Sequence, residues 1–223
     1  MIFVNTIILQ WSANVVKQSQ YFSRMKAVLT GDIIDSRKSS TFGWIDSLKT
    51  ILSRYGKSPS DWEIFRGDSF QLMVESEAAL LAAFHIKAMM KAADSLDVRI
   101  GIGVGEVEHK SSGITESNGE AFVLSGSCFE SLKKHTLGVK TTNAQMNKVL
   151  NVMLGLALLT TDSWSAAVST IIRARIENPQ KNQSELAAFL GKSQSSISDA
   201  LKRGGWDEIM MLEEFYREQI SSL

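Results

Sequence analysis

The 223-residue sequence predicts an α+β protein, in which a ferredoxin-like βαββαβ sheet domain over residues 26–141 is followed by an all-α domain over residues 142–223. In the first region, apolar runs with the two-residue alternation of strands interleave with runs at helical spacing. In the second region the apolar runs have helical spacing, and residues 183–203 carry the pattern of a helix-turn-helix. The length permits one good core and a smaller second one, so we assign two domains.

Composition excludes several classes of protein. Lysine plus arginine equals aspartate plus glutamate at 24 each, so no overall field attracts nucleic acid or membranes, and local charge must decide. The single cysteine, Cys128, rules out an internal disulfide framework and indicates a reducing cytoplasm. Because Cys128 lies within a helical pattern, we interpret it as a small buried residue and not as a nucleophile.

Residues 1–25 carry no recognisable element. Their apolar run Met1–Leu9 is too short to span a membrane, and no basic region precedes it and no small-residue cleavage site follows it. The run Val149–Leu159 is also too short, so we expect no membrane partner and a cytoplasmic location. Met25 stands directly before the first strand. We therefore expect either a floppy leader or a true start codon at Met25 instead of Met1.

The first strand runs from Lys26 to Gly31 and places Asp32 at its carboxyl end. A helix is predicted over Phe42–Tyr55, where apolar residues recur at helical spacing before Gly56 and Pro59.

A hairpin comes next. Apolar and polar residues alternate around Trp62 and Ile64, and again over Phe70–Val74. Between these two runs lies a short loop that contains Gly67 and Asp68. We expect a two-residue loop in which Gly67 takes the positive φ of a type II′ turn and Asp68 lies at a rigid tip. A helix over Ala78–Ala93 follows.

The stretch Val98–Gly105 predicts a strand with β-branched residues on one face and Arg99 plus three glycines on the other. That glycine face would admit the close approach of a helix backbone or a ligand. A flexible loop, a helix over Gly119–His135 and an edge strand over Leu137–Lys140 complete the domain. The order is βαββαβ with an added αβ, which describes a ferredoxin-like or palm-type sheet with its helices on one face.

In such a sheet, strand one and the hairpin are neighbours, which brings Asp32 and Asp68 together. Taken singly, Asp32 could cap the following segment and Asp68 could be a turn residue. As a pair they suit Mg²⁺ or Mn²⁺, since magnesium commonly takes one or two carboxylates and completes its shell with water and phosphate oxygens. The cations that could neutralise the phosphates of a nucleotide, or simply be solvated at the surface, are Arg37, Lys38 and Arg66.

Three stretches, Gly31-Asp32, Arg66–Phe70 and Val98–Val107, resemble the metal-binding strand, the hairpin and the Arg-Ile-Gly-Ile strand of nucleotidyl cyclase and GGDEF-type palm domains. The opening Gly31–Arg37 is similar to the Gly-Asp-Ile-x-x-Ser-Arg motif of the SatD family of bacterial proteins, and this resemblance runs from Lys26 to beyond Trp206. It implies that Asp32, Asp68 and the main-chain carbonyl of Ile33 bind the metal.

The sequence departs from those families at the reaction centre. Ser69 stands where GGDEF enzymes carry a glutamate, and Val123 and Ser127 stand at about the places of the asparagine and arginine of class III cyclases. Loss of charge preorganised at the phosphate typically costs orders of magnitude in rate. These departures argue against cyclase turnover and leave cation and nucleotide binding open.

The second region begins with helices over Asn143–Leu159 and from Thr161 or Asp162 to about Glu177. In residues 183–203, Ala187 permits close packing of two helices, Gly191 makes the turn, and the shared core is formed by Leu186, Leu190, Ile197 and Leu201. A second helix that starts near Ser193 would read double-stranded DNA. We expect contacts to bases and phosphates from Lys192, Ser193, Gln194, Ser195, Ser196, Ser198, Lys202 and Arg203.

Residues 180–203 contain four basic and two acidic residues, so the positive charge is local to this reader. A single helix-turn-helix recognises few base pairs, and we therefore expect a homodimer, to which the last helix and the palm domains could contribute. Three hypotheses follow: a cytoplasmic bacterial DNA-binding regulator that senses a nucleotide with magnesium, an active nucleotidyl cyclase or nucleotidyltransferase localised by its helix-turn-helix, or a palm that serves only as a dimerisation scaffold.

Overall fold

A computed structural model describes residues 25–36, 43–109 and 112–223, and within these residues the chain forms a six-stranded sheet followed by helices. Of the predicted leader, residues 1–24 lie outside the described residues, and Met25 begins the first strand. The strands are β1 (Met25–Ile34), β2 (Trp62–Phe65), β3 (Ser69–Glu75), β4 (Asp97–His109), β5 (Asn118–Gly119) and β6 (Leu137–Lys140).

The strand order is β2-β3-β1-β4, with β5 antiparallel and β6 parallel to the far side of β4. β1 is therefore central, between β3 and β4, and pairs antiparallel with both. This arrangement confirms the predicted α+β class and the neighbourhood of strand one and the hairpin. Strand β5, of two residues, is an element that the sequence did not predict.

Helices cover both faces of the sheet. The helices of the sheet domain are α1 (Gly43–Leu52), α2 (Ala79–Asp94) and α3 (Glu120–Ser131). Helices α1 and α2 pack on the face that carries Ala27, Leu29 and the β-branched residues of β4, and this face forms the main core.

Helix α3 packs on the other face, against β4 and β1, so the expectation of helices on one face is wrong for α3. The glycine face of β4 makes this packing sterically feasible. A Cβ atom on Gly101 would overlap the backbone of Phe129, and one on Gly103 would overlap the backbone nitrogen of Ser125. Of the two occupants expected for that face, the structure shows the helix.

The hairpin of β2 and β3 is confirmed, but its turn differs from the expected one. Phe65 pairs with Ser69, which leaves a loop of three residues, Arg66 to Asp68. Arg66 and Gly67 both have positive φ, at 53° and 92°. Positive φ at both central residues is the signature of a type I′ turn, whereas type II′ requires it only at the first.

From Ala144 onward the structure is helical, as the sequence predicts. The helices are α4 (Ala144–Thr161), α5 (Ala166–Glu177), α6 (Gln183–Leu190), α7 (Gln194–Arg203) and α8 (Trp206–Ile220). Asn143 caps α4 and Ser165 caps α5, each through a side chain that accepts from the backbone N–H three residues later.

The helical region packs on the sheet domain chiefly through α5, which lies against α2. Polar contacts join the two regions as well: Glu177 of α5 lies 3.3 Å from His85 of α2, and the Tyr216 hydroxyl of α8 donates to the Ser76 carbonyl at 2.8 Å. One cluster of buried apolar residues extends from Ala27 in β1 to Ile220 in α8.

Candidate functional sites

Asp32 lies on β1 directly opposite Arg99 of β4, and both side chains are on the face that α3 covers. Arg99 donates from Nε to Asp32 Oδ1 at 3.0 Å and from Nη2 to Asp32 Oδ2. The same guanidinium lies 5.2 Å from the ring centroid of Phe129 on α3. The hydrogen bond with Asp32 raises the pKa of Arg99. Both oxygens of Asp32 are thus bound to a cation that the chain itself supplies.

Asp68 is held next to the end of β1. Its carbonyl oxygen accepts a hydrogen bond from the Ile33 backbone nitrogen at 3.2 Å, and its carboxylate Oδ2 accepts from the Ser36 hydroxyl at 2.6 Å. Because Asp32 pairs with Ser69, Asp68 is one residue beyond Asp32 along the ladder. The fold therefore brings the main chains of the two aspartates together, and each carboxylate has a different partner.

Arg99 occupies both Asp32 oxygens at which a divalent cation would bind. A metal at Asp32 would have to replace or stand beside the Arg99 guanidinium, and two positive charges at hydrogen-bonding distance from one carboxylate repel each other. The described part of the chain contains no group of three or more histidine, cysteine, aspartate or glutamate side chains that could hold a metal. Cation binding by Asp32, Ile33 and Asp68 stays a prediction.

Of the expected phosphate-binding residues, Arg37 and Lys38 lie outside the described residues, and Arg66 is exposed at the hairpin tip. Phosphate binding by these three residues stays a prediction. On α3, Val123 is exposed, and the Ser127 hydroxyl accepts from Lys140 Nζ at 2.6 Å.

The helix-turn-helix is formed by α6 and α7. Asn182 and Glu185 make a reciprocal capping box at the start of α6. Gly191 ends α6 in the left-handed conformation at φ 62°, and the Lys192 backbone N–H donates to the Ala187 carbonyl at 2.9 Å. Ser193 then caps α7 by accepting from Ser196 N–H. The turn of Gly191 to Ser193 is as short as the sequence indicated, and the start of the second helix at Ser193 is confirmed.

The packing of this motif also agrees with the prediction. Leu186, Ala187, Ile197 and Leu201 are buried, and Leu190 is half-buried against the same core. Helix α5 packs against α7, and its Ile172 Cδ1 lies only 2.9 Å from where a Cβ atom on Gly204 would be. The buried Trp164 indole donates to the Gly204 carbonyl at 2.9 Å, which fixes the end of α7.

All eight candidate DNA-contacting residues are exposed. The outward surface of α7 begins with Gln194 and a cluster of serine hydroxyls and ends with Lys202 and Arg203. The hydroxyl of Ser193 lies 3.0 Å from that of Ser195 and 2.8 Å from that of Ser196, so these groups form one polar surface at the start of the helix. Asp199 is also exposed there and reduces the positive potential of the surface.

Sequence reasoning missed the role of Arg99. It placed Arg99 on the same face as the glycines but assigned it no partner. The antiparallel pairing of β1 with β4 puts Arg99 opposite Asp32. The register of these two strands is therefore the signal that could have identified the ion pair.

No helix in the described ranges is long and apolar enough to cross a membrane. No protein-family model matches the chain, and no curated protein sequence matches it.

The chain has distant structural similarity to bacterial adenylyl cyclase. Two solved structures of a bacterial light-regulated adenylyl cyclase match with TM-scores of 0.37 and 0.32, at 16% and 12% sequence identity. The matches cover 52% and 62% of this chain and 43% and 56% of the respective cyclase chains, so it spans about half of the length of each.

Proposed function

We propose that this protein is a cytoplasmic bacterial regulator that binds double-stranded DNA through α6 and α7, with the architecture expected of the SatD family. The observation that supports this proposal is the pairing of a tightly closed helix-turn-helix with an outward surface of serine, glutamine and terminal basic side chains. Serine and glutamine hydrogen-bond to base edges and phosphates, and lysine and arginine neutralise phosphates.

The position of the basic residues supports backbone contacts. Lys192 precedes the first turn of α7, and Lys202 and Arg203 form its last turn, so the cations flank the polar surface on both sides. The N-terminal end of α7 adds the positive end of the helix dipole, which also favours phosphate.

The experiment is a fluorescence-anisotropy titration of a pool of random-sequence duplex DNA at several salt concentrations. We expect binding that weakens steeply with salt, and a double variant Lys202→Ala/Arg203→Ala whose affinity falls by about 10- to 100-fold and whose log–log salt slope is smaller by about two. The Asp199→Asn variant should bind more tightly, because it removes the negative charge from the same surface.

The matched control is Lys49→Ala/Lys57→Ala, which removes two exposed positive charges from the sheet domain. It should leave the affinity and the salt slope unchanged. Absence of binding at low salt, or equal losses in the two double variants, would refute the assignment of α7 as the reading helix.

For the sheet domain, the ion pair between Asp32 and Arg99 favours a scaffold over a nucleotide sensor or an enzyme. Incubation of the pure protein with each nucleoside triphosphate and Mg²⁺ or Mn²⁺ separates these roles. A new product would support the cyclase or transferase, saturable metal-dependent binding without turnover would support the sensor, and neither would support the scaffold.

A further inference from the structure

Helix α4 is apolar on two sides. One side, with Met146, Leu150, Leu154 and Leu158, is buried in the core. The other side is exposed: Val152, Leu156 and Leu159 have 60%, 65% and 77% of their surface accessible. A helix that is apolar all round is normally buried on all sides, so this second side lacks a cover in the single chain.

The exposed side of α4 borders α8. Between the two helices lies an open groove of about 570 Å³, lined mainly by apolar side chains, among them Met153, Ala157, Ile209 and Phe215. On the far rim, Met211 of α8 is 70% exposed. We call the set of Val149, Val152, Leu156, Leu159 and Met211, together with this groove, the α4–α8 surface.

The spacing along α4 suits another helix. Positions 149, 152, 156 and 159 repeat at intervals of three, four and three, the spacing of residues that form a helix–helix seam. Lys148 is the only charged residue between Ala144 and Thr161, and Glu208 is the charged residue among those that line the groove. Two copies of the surface therefore bring few like charges together.

Gly155 lies in the middle of this stripe. Apart from the neighbouring backbone of its own helix, no atom lies within 4 Å of the place where its Cβ would be, so nothing in the chain requires a glycine there. Glycine in a helix interior costs about 1 kcal/mol relative to alanine. A closely approaching second helix gives that glycine a physical reason.

The available area is sufficient for a pair of chains. The exposed parts of the five side chains amount to roughly 500 Å² per chain, which is a large apolar patch for a monomer. Two copies would together bury about 1,000 Å² or more, which reaches the lower bound of a specific interface.

We propose that a second copy of this chain covers the α4–α8 surface through an isologous contact, with α4 of each chain packed on α4 and α8 of the other around a two-fold axis. This interaction surface follows from the exposed stripe and does not depend on DNA binding. It adjoins the candidate reader, because Gly205, which lines the groove, lies two residues after Arg203. A two-fold axis there would place two α7 helices in one dimer, and recognition of two half-sites requires such a pair.

The test is the mass of the full chain in solution without DNA, measured by sedimentation equilibrium over about a thousandfold range of concentration. We expect a dimer for the natural sequence. Leu156→Asp/Leu159→Asp should weaken the dimer by about 100-fold or more, since each exposed leucine would become a charge that must lose its water at the seam, twice per dimer. Circular dichroism should show unchanged helix content, as both residues are exposed in the single chain.

Val123→Asp is the matched control. Val123 is also an exposed apolar residue of a helix, with 67% of its surface accessible, but it lies on α3. It should leave the dimer intact. A chain that is monomeric at every concentration, or a dimer that survives the double aspartate variant, overturns the proposal. Because no DNA is present, either result is independent of whether α7 binds DNA.

Discussion

Lys87 offers the sharpest test of how the sheet domain and the helical region are held together. Only 2% of its side chain is exposed. Its Nζ donates to Asp97 Oδ1 of β4 at 2.7 Å and lies 2.7 Å from Oδ1 of Asp162, the residue that follows α4. Lys91 contacts the same two residues, through Asp97 Oδ2 at 2.9 Å and the Asp162 carbonyl at 2.7 Å.

We predict that Lys87→Met destabilises the protein by about 3 kcal/mol. Removal of one partner from a buried ion pair costs about 3–5 kcal/mol because the remaining charge is left uncompensated, and the lower value applies here because Asp162 is partly exposed and Lys91 still neutralises Asp97. For a chain of this size the melting temperature should fall by about 6–12 °C. Differential scanning calorimetry measures both quantities.

Lys49→Met is the matched control, because Lys49 is an exposed lysine of α1, and it should change stability by less than about 0.5 kcal/mol. The double variant Lys87→Met/Asp162→Asn should lose less unfolding free energy than the two single variants lose together, by at least about 1 kcal/mol, since the two residues are in direct contact. If Lys87→Met behaves like Lys49→Met, or if the two effects simply add, the cluster does not join the regions as argued.

Three further predictions concern the sheet domain. Burial lowers the pKa of His85 to about 4, so on acidification the unfolded state binds the proton before the folded state does. The free energy of unfolding should therefore fall by up to about 3 kcal/mol as the pH drops from about 6.5 to 4. Urea titrations of His85→Gln should lack this pH-dependent loss. Gly103→Ala should cost about 2–4 kcal/mol because its Cβ would meet the α3 backbone, whereas Gly126→Ala on α3, with open space around it, should be neutral or stabilising in the same assay. Arg99→Gln should increase Mn²⁺ affinity, measured by electron paramagnetic resonance, because it frees the Asp32 oxygens, and an unchanged or lower affinity would contradict the role given to that ion pair.

Features that depend on local spacing could be predicted from the sequence. The hairpin, the glycine face of β4, and the turn at Gly191 each follow from residues close together in the chain, whose backbone preferences leave few alternatives. The helix-turn-helix core is of this kind too, because Leu186 and Ile197 lie only eleven positions apart. The turn at Gly191 and this core are the features of the candidate DNA interface that agree with the structure.

Features that depend on packing between distant segments were not predictable in the same way. The side of the sheet that α3 occupies is decided by whether its backbone fits over Gly101 and Gly103, which a one-dimensional pattern permits but does not impose. Likewise, the burial of Lys87 depends on Asp162, 75 positions later, which supplies a second carboxylate. A lysine on an alanine-rich helix gives no local sign of such a partner.

The packing of α5 connects these observations to the proposed role of the sheet domain. This helix contacts both α2 and α7, so the candidate reading helix α7 is supported, through a single intermediate helix, by the sheet domain. At the α2 contact, the His85 ring lies between the Tyr55 hydroxyl at 2.7 Å and the Glu177 carboxylate at 3.3 Å, which restricts sliding of α5 along α2. Helix α7, supported in this way, presents its exposed side chains in a fixed orientation. In the proposed DNA-binding role the sheet would serve as a scaffold, in agreement with an Asp32 carboxylate that is already paired with Arg99.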